Sequence, residues 1–242
     1  MDPRNPNPVR LSLKKASVIE NRYSVILENR DISTNIYENK LMKMEQSNDE
    51  ILTKICNKKS ITLADKERFA DYIQLMIKRT TKRDKRAEKY FDKVVSKSIG
   101  IAEIPPDFLG VEKQIAIRET MVVSDEKIRQ KLITLKWTFY VASQDTFFVT
   151  SDDPVVRLSG LDRGPIIFPI SSTVAILMTI SNERDLEYLL ATKDHVEAIN
   201  FLTIINAEAV YSPKPERWIY EILTRGLELN QTQEDFLRKI GS

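Results

Sequence analysis

The chain has 242 residues, 42% hydrophobic and 30% charged, with a formal net charge of +2. That composition excludes a disordered or collagen-like chain and predicts a soluble globular protein with a buried core. The charge is too balanced for overall electrostatics to argue for a nucleic acid or a membrane, so any such role must rest on a local patch. A single cysteine, Cys56, excludes an intrachain disulfide and fits a reducing compartment. The start, "MDPRNPNPVR", lacks the apolar core of a signal peptide, and the longest apolar run, Val174 to Ile180, is too short to span a bilayer. A cytoplasmic location without a membrane partner is the expectation.

Residues 1–10 are rich in Pro and Asn and read as irregular, and "YSVIL" within residues 16–28 reads as a short strand. A helix is expected from Asn35 to about Lys58. Asn35 and Glu38 form its capping box, and Tyr37, Leu41, Met44, Ile51 and Ile55 its apolar stripe. "SITLADKERF" opens a second helix with Thr62 as cap and Asp65 three residues on. No Gly or Pro interrupts Thr62 to Ser98, so one continuous helix of about 50 Å is expected. Its apolar face runs through Phe69, Tyr72, Ile73, Met76, Ile77, Ala87, Tyr90, Phe91, Val94 and Val95. The two helices predict a long antiparallel helical hairpin.

"GIAEIPPDFLG" marks a linker. Residues 101–121 are expected to be a loop-rich connection between a mainly helical half, 1–100, and a half with a sheet and C-terminal helices, 122–242, within a single domain. Ser124 is the expected cap of a helix ending near Leu135. The period then becomes alternating. "WTFYVAS", "TFFVTS", "PIIFPIS" and "TVAILMTIS" read as four strands of a small antiparallel sheet, the first two joined by a tight turn at "SQD". After Asn182 the chain returns to helix, with Thr192 capping one and a proline near the first turn of "PKPERWIYEILTRGLEL". Helices, then strands, then helices predict an α+β fold.

Common site signatures are absent: no phosphate-binding Gly loop, no Cys/His zinc cluster, no HExxH, no GxSxG. His195, the only histidine, reads as a surface or satisfied side chain, Cys56 as core, and Trp137 and Trp218 as packing residues. Chemistry here would run on carboxylates, cations and hydroxyls.

Two places stand out. In "FFVTSDDPVV" a strand ends on Asp152 and Asp153 before Pro154. Such a pair serves a turn as readily as a site, and alternation points the two carboxylates to opposite sides, one bonding locally and the other facing a cleft. The second place is "KRTTKRDKR", in a stretch where seven residues from Lys78 to Lys89 are Lys or Arg. Such a run is commonly a solvated face. Yet Thr80 and Arg83 interrupt the apolar stripe and Arg79 borders it, and a core-facing guanidinium needs a partner. Asp152 or a bound phosphate would supply one. Asn200 and Asn206 on the late helix are lesser candidates.

"ENKLMKMEQSNDEILTKI", "ADYIQLMIKRTT", "FFVTSDDPVV", "IFPIS" and "EAINFLTIINAEAVYS" together resemble the bacterial family called domain of unknown function 4238, over roughly residues 30 to 215. Members of that family show an Arg-Thr pair ending a helix, a Thr-Ser-Asp-Asn-Pro-Val segment, a Phe-Pro-Leu-Ser segment, and an Asn-containing helix before a Tyr-Ser strand. Arg79 and Thr80 match the first. Thr150, Ser151, Asp152 and Pro154 match the second, with Asp153 in place of its Asn. Phe168, Pro169 and Ser171 match the third, and Asn200 and Ser212 the last. Members begin with a His-Tyr-Val-Pro segment that this chain lacks, which implies a truncated start or a loss, and puts in doubt any chemistry that histidine would carry. The family's biochemistry is not established.

Two functions remain open at this level. One is a hydrolase or nuclease-like effector on a phosphate-containing substrate, with Asp152 and Arg79 catalytic and Arg83, Thr150, Ser151 and Asn200 holding substrate; no metal is assigned and the cofactor is open. The alternative is a non-catalytic interaction module, in which an Arg79–Asp152 bridge ties helix to sheet and the hairpin offers a surface for a protein partner or self-association. Direct nucleic-acid binding through the basic run ranks third.

Overall fold

The computed structural model describes residues 25–26, 32–33, 36–100, 110–158, 165–181, 187–214 and 216–225, together with Asp235 and Arg238. Asn35, the linker prolines and the segment 226–234 lie outside the described residues. Two short strands, β1 (Val25–Ile26) and β2 (Ile32–Ser33), pair antiparallel, the first within the expected "YSVIL" strand. The first helix comes in two pieces, α1 (Ile36–Gln46) and α2 (Asp49–Cys56). Ser47 Oγ and Asn48 Nδ2 both donate to the Met44 carbonyl at 2.8 Å. Side chains that bond the backbone locally compete with helical continuation, and here they end α1.

The second helix begins as its sequence predicts. In α3 (Leu63–Lys78) Asp65 N–H donates to Thr62 Oγ1 at 3.1 Å, and Thr62 N–H donates to Asp65 Oδ2 at 2.9 Å. α1 and α2 run antiparallel to α3: Lys54 reaches Asp65 at 3.3 Å, Arg68 donates to the Ser47 carbonyl, and Arg79 pairs with Glu45. The expected continuous helix to Ser98 does not form. α3 stops at Lys78, and Thr80, with extended backbone, caps a separate helix, α4 (Thr81–Ile99), by accepting from Arg83 N–H at 3.2 Å. Neither Gly nor Pro is needed for the break, because the Thr80 hydroxyl takes over an N–H that a continuous helix would bond internally. α4 ends at Gly100, whose φ of +73° is left-handed and suits glycine.

The expected loop-rich connection is helical from residue 110. α5 (Gly110–Val122) lies antiparallel to α4 through Lys113–Asp92 at 2.6 Å and Arg118–Asp84 at 3.6 Å. No breaker follows Gly110, and these pairs hold the helix in place. α6 (Glu126–Thr134) is capped by Asp125, which accepts from Lys127 N–H at 3.0 Å, and not by Ser124, whose hydroxyl bonds Asp71 instead.

The main sheet has five strands in the order β5 (Val156–Arg157), β6 (Ile166–Pro169), β7 (Val174–Thr179), β3 (Lys136–Val141) and β8 (Glu187–Leu190). The first four run antiparallel to their neighbours; β8, in a stretch read as part of the return to helix, joins parallel to β3 with Tyr188 stacked on Phe139 at 4.7 Å. The sheet is therefore mixed within an α+β fold. One face packs Trp137, Phe139, Phe168 and Ile176 on α2, α3 and α6. The other packs Tyr140, Ile167 and Leu177 on α7 (Lys193–Ile205), which Thr192 caps as expected. Burial on both faces is why these strands read as nearly unbroken apolar runs. "TFFVTS" does not pair with β3 across a hairpin. Only β4 (Thr150–Ser151) is a strand, and it pairs with β9 (Val210–Tyr211) in a separate two-stranded sheet. A last helix, α8 (Arg217–Arg225), follows.

Asp65 is buried. Its hydrogen bonds to the Thr62 backbone, and then to the Thr62 hydroxyl and Lys54, outweigh burial and hold its carboxyl below the ordinary value. A depressed carboxyl stabilises the fold above its unfolded pKa and loses that contribution as pH falls through the folded one. Asp65→Asn should therefore lower Tm by a constant amount at pH 5 to 7, and the gap should close as pH drops below about 4. A gap that stays open in acid would show that the charge of Asp65 plays no part.

Candidate functional site

The chain from Thr146 to Pro154 is held by α7 and the turn after it. Asn200, 0% exposed, donates through Nδ2 to the Phe147 carbonyl at 2.8 Å and accepts at Oδ1 from Val149 N–H at 2.9 Å. Its amide thus stands in for the edge of a neighbouring strand, which explains why "TFFVTS" looks like a strand without pairing as one until Thr150. Both functional ends of the Asn200 side chain bond this backbone segment, and Asn200 does not line the cleft described below.

The adjacent carboxylates diverge as alternation requires, with their roles exchanged. Asp152 Oδ1 accepts from Glu208 N–H and Ala209 N–H, each at 2.9 Å, while its own N–H donates to the Ala209 carbonyl. Asp152 fastens the β4 end to the turn before β9. Arg79 sits at the C-terminal end of α3 and pairs with Glu45 on α1, so the expected Arg79–Asp152 bridge is not formed. The break at Thr80 accounts for this: Arg79 belongs to the end of one helix, and Asp152 is occupied by backbone donors. Neither residue lines the cleft described next.

Asp153 faces a cleft of about 880 Å³. Its walls come from the start of α4 (Thr80, Arg83, Arg86), the end of α5 (Glu119, Thr120), the turn before α6, and the segment Asp153 to Arg157, with Lys78 and Asn206 at its margins. Thr150 and Ser151 are not on its wall; Ser151 is buried behind β9 pairing. Of the residues expected to bind substrate, Arg83 alone lines it.

Three guanidinium groups converge there. Arg83 Nη2 donates to Thr120 Oγ1 at 3.2 Å, and its Nη1 is buried with no hydrogen-bond acceptor among the described residues. Burial lowers the Arg83 guanidinium from its ordinary value, Asp84 opposes this, and the nearby charge of Arg157 adds to the lowering. An arginine stays charged regardless, so a half-buried cation lines the cleft. Among the described residues Arg83, Arg86 and Arg157 take part in no ion pair. Lys78 donates to the Val123 carbonyl at the margin, and burial, then Arg83, hold its ammonium below the ordinary range. Among the described residues no group of three His, Cys, Asp or Glu side chains lies close enough to hold a metal ion.

Arg157 escaped the sequence reading, Arg86 entered it only within the basic run, and Asp153 only as one of the pair of carboxylates. A signal was present: Asp153, Val155 and Arg157 share one side by alternation in "DDPVVR", and all three line the cleft.

The chain belongs to the family described as "Protein of unknown function (DUF4238)", whose model matches residues 1–221. No curated protein and no solved structure matches the chain. Among the described residues no helix is long and apolar enough to cross a membrane.

Removing the Asn200 amide leaves the Phe147 carbonyl and Val149 N–H unpaired, at about 1–3 kcal/mol for each buried group. Asn200→Ala should lower unfolding stability by about 2–4 kcal/mol in urea titration, and the Val149 amide should lose hydrogen-exchange protection. Retained protection would mean that the loop is held by other means.

Proposed function

We propose that this protein binds a phosphate-bearing ligand in the cleft at the start of α4. The observation that carries the reading is the convergence of Arg83, Arg86 and Arg157 on one cleft with no carboxylate paired to any of them. The cleft also carries Glu119, Asp125 and Asp153, yet no ion pair among the described residues closes off any of the three guanidinium groups, so their N–H donors face an anionic ligand. Guanidinium groups are suited to phosphate because they donate two parallel N–H bonds to its oxygens. The start of α4 lies at the same cleft through Thr80 and Arg83, and the partial positive charge of a helix N-terminus favours an anion. The volume is within the usual range for a small-molecule site.

Hydrolysis of a phosphate ester is the chemistry this arrangement supports best. Asp153 lies on the same wall as Arg157. In the reaction, water adds to phosphorus, the ester P–O bond breaks, the proton from water passes to the carboxylate, and the leaving oxygen takes a proton on departure. Arg83, Arg86 and Arg157 would balance the charge on the non-bridging oxygens. Of the interaction-module reading, the Arg79–Asp152 bridge is not formed, since Glu45 pairs with Arg79 and backbone N–H groups occupy Asp152.

Thermal melting with inorganic phosphate and pyrophosphate tests the binding. A ligand at 100 times its Kd should stabilise by about 2.7 kcal/mol if it binds the native state alone. Arg157→Ala and Arg86→Ala remove no ion pair and no side-chain hydrogen bond among the described residues, so each should keep the ligand-free stability to within about 1 kcal/mol and lose the pyrophosphate shift. Asp153→Asn should keep the shift and lose phosphoester turnover. Equal shifts in wild type and both arginine variants would rule out this cleft.

A further inference from the structure

Beyond the cleft, α4 separates its charges by face. Counting about 100° per residue, Arg86, Lys89, Tyr90, Lys93 and Lys97 fall within an arc of about 100°, and Asp84, Glu88 and Asp92 lie on the far side. α5 covers part of that acidic side, with Arg118 on Asp84 and Lys113 on Asp92. On the basic side Arg86, Lys89, Lys93 and Lys97 are exposed and form no ion pair among the described residues. The expected core role of Tyr90 does not hold either; its ring is 71% exposed in the middle of the cations. Arg86 belongs to both features, lining the cleft and opening the stripe. From Arg86 to Lys97 the stripe extends roughly 16 Å.

We propose that the phosphate-bearing substrate is a single strand of nucleic acid, its backbone running from the arginine cleft along the basic face of α4 with a base stacked on Tyr90. The inference rests on the phosphate reading of the cleft and extends it from one phosphate to a chain of them. A row of cations at one or two per helical turn matches a ligand with regularly repeated negative charge. The aromatic in that row distinguishes nucleic acid from a bare polyphosphate, because every base offers a face for stacking. It distinguishes a single strand from a duplex, whose bases are already stacked on each other. An anionic membrane is a poorer match, since surface-bound helices need a broad apolar face, and on this side α4 exposes only Tyr90 and Val94 among its large apolar residues.

The test is fluorescence anisotropy of labelled dT and rU 12-mers at several salt concentrations, beside the pyrophosphate melting shift on the same samples. The variants are Lys89→Gln/Lys93→Gln/Lys97→Gln and, separately, Tyr90→Ala and Tyr90→Phe. All substitutions are on exposed side chains, and unchanged circular dichroism confirms folding. The triple variant should bind the 12-mers more weakly, with a log–log salt slope shallower by about 2, and keep the full pyrophosphate shift. Tyr90→Ala should weaken oligomer binding roughly ten-fold and Tyr90→Phe restore it. Tighter binding of dT or of rU supports the proposal equally and names the sugar. A retained pyrophosphate shift with oligomer binding indifferent to the triple variant overturns the track and leaves the cleft reading intact. Loss of both in wild type overturns both. Equal binding of a duplex with no effect of Tyr90→Ala overturns the single-strand assignment. Stripe-dependent capture by phosphatidylserine vesicles without oligomer binding overturns nucleic acid in favour of a membrane.

Discussion

The interruption at Arg79–Thr80 is the constraint on which the cleft depends. A helix running unbroken from Thr62 would bond every interior N–H to its own backbone and carry Arg83 on the core stripe. The Thr80 hydroxyl instead accepts from Arg83 N–H, so α4 starts afresh at the edge of the sheet. Three consequences follow from that one cap. Arg79 is left on the α3 side, where Glu45 takes it. Arg83 is delivered to a wall shared with Arg157. The first turn of α4 opens toward the same space, adding its partial positive charge to that of the side chains. A cap of this kind is worth about 1 kcal/mol, a small term in the stability of the whole fold and a large one in where its cations point.

The acidic side of α4 has a structural reason in its pairs with α5, Arg118–Asp84 and Lys113–Asp92; the basic side has none of that kind among the described residues. Pairs such as Lys113–Asp92 are partly exposed and contribute at most about 1 kcal/mol. Like charges one turn apart, as Arg86, Lys89, Lys93 and Lys97 are, oppose the helix by a few tenths of a kcal/mol each. Interspersing the signs would have been the more stable arrangement. A surface that keeps its cations together against this cost also repels a second copy of itself, so the free face of α4 is a poor site for self-association. Its asymmetry is better explained by a ligand than by the fold. The formal net charge of +2 conceals it, because acidic and basic residues alternate closely in "KRDKRAEKYFDK" and separate only when wound onto a helix.

Much of the fold was legible where one local rule acted alone. The Thr62–Asp65 box, the Thr192 cap and the apolar strands β3, β6 and β7 all lie where their residues place them, since spacing and capping chemistry need no distant partner. The misplaced features each involved a distant or competing partner. "TFFVTS" has the composition of a strand, but its hydrogen bonds go to the Asn200 amide, fifty residues later in the chain. Ser47, Asn48 and Thr80 break helices through side-chain bonds that leave no Gly or Pro as a mark. Tyr90 keeps core spacing with Phe69 and Tyr72, yet the change of axis at Thr80 turns that stripe outward, and the period alone cannot register a change of axis.

The same reasoning settles the pair of aspartates at the strand end. Both turn chemistry and site chemistry favour a carboxylate there, and adjacent residues on an extended chain cannot both face one way. Alternation thus allots one carboxylate to each task without saying which. The partner decides. Asp152 is opposite the turn at Glu208 and Ala209, whose two N–H groups converge on one of its oxygens. Asp153, one step further, is left on the side of Val155 and Arg157, against the arginines of α4. Asp153 thus adds a carboxylate to a wall that also carries Arg83, Arg86 and Arg157, the side on which the proposed reaction would place its base.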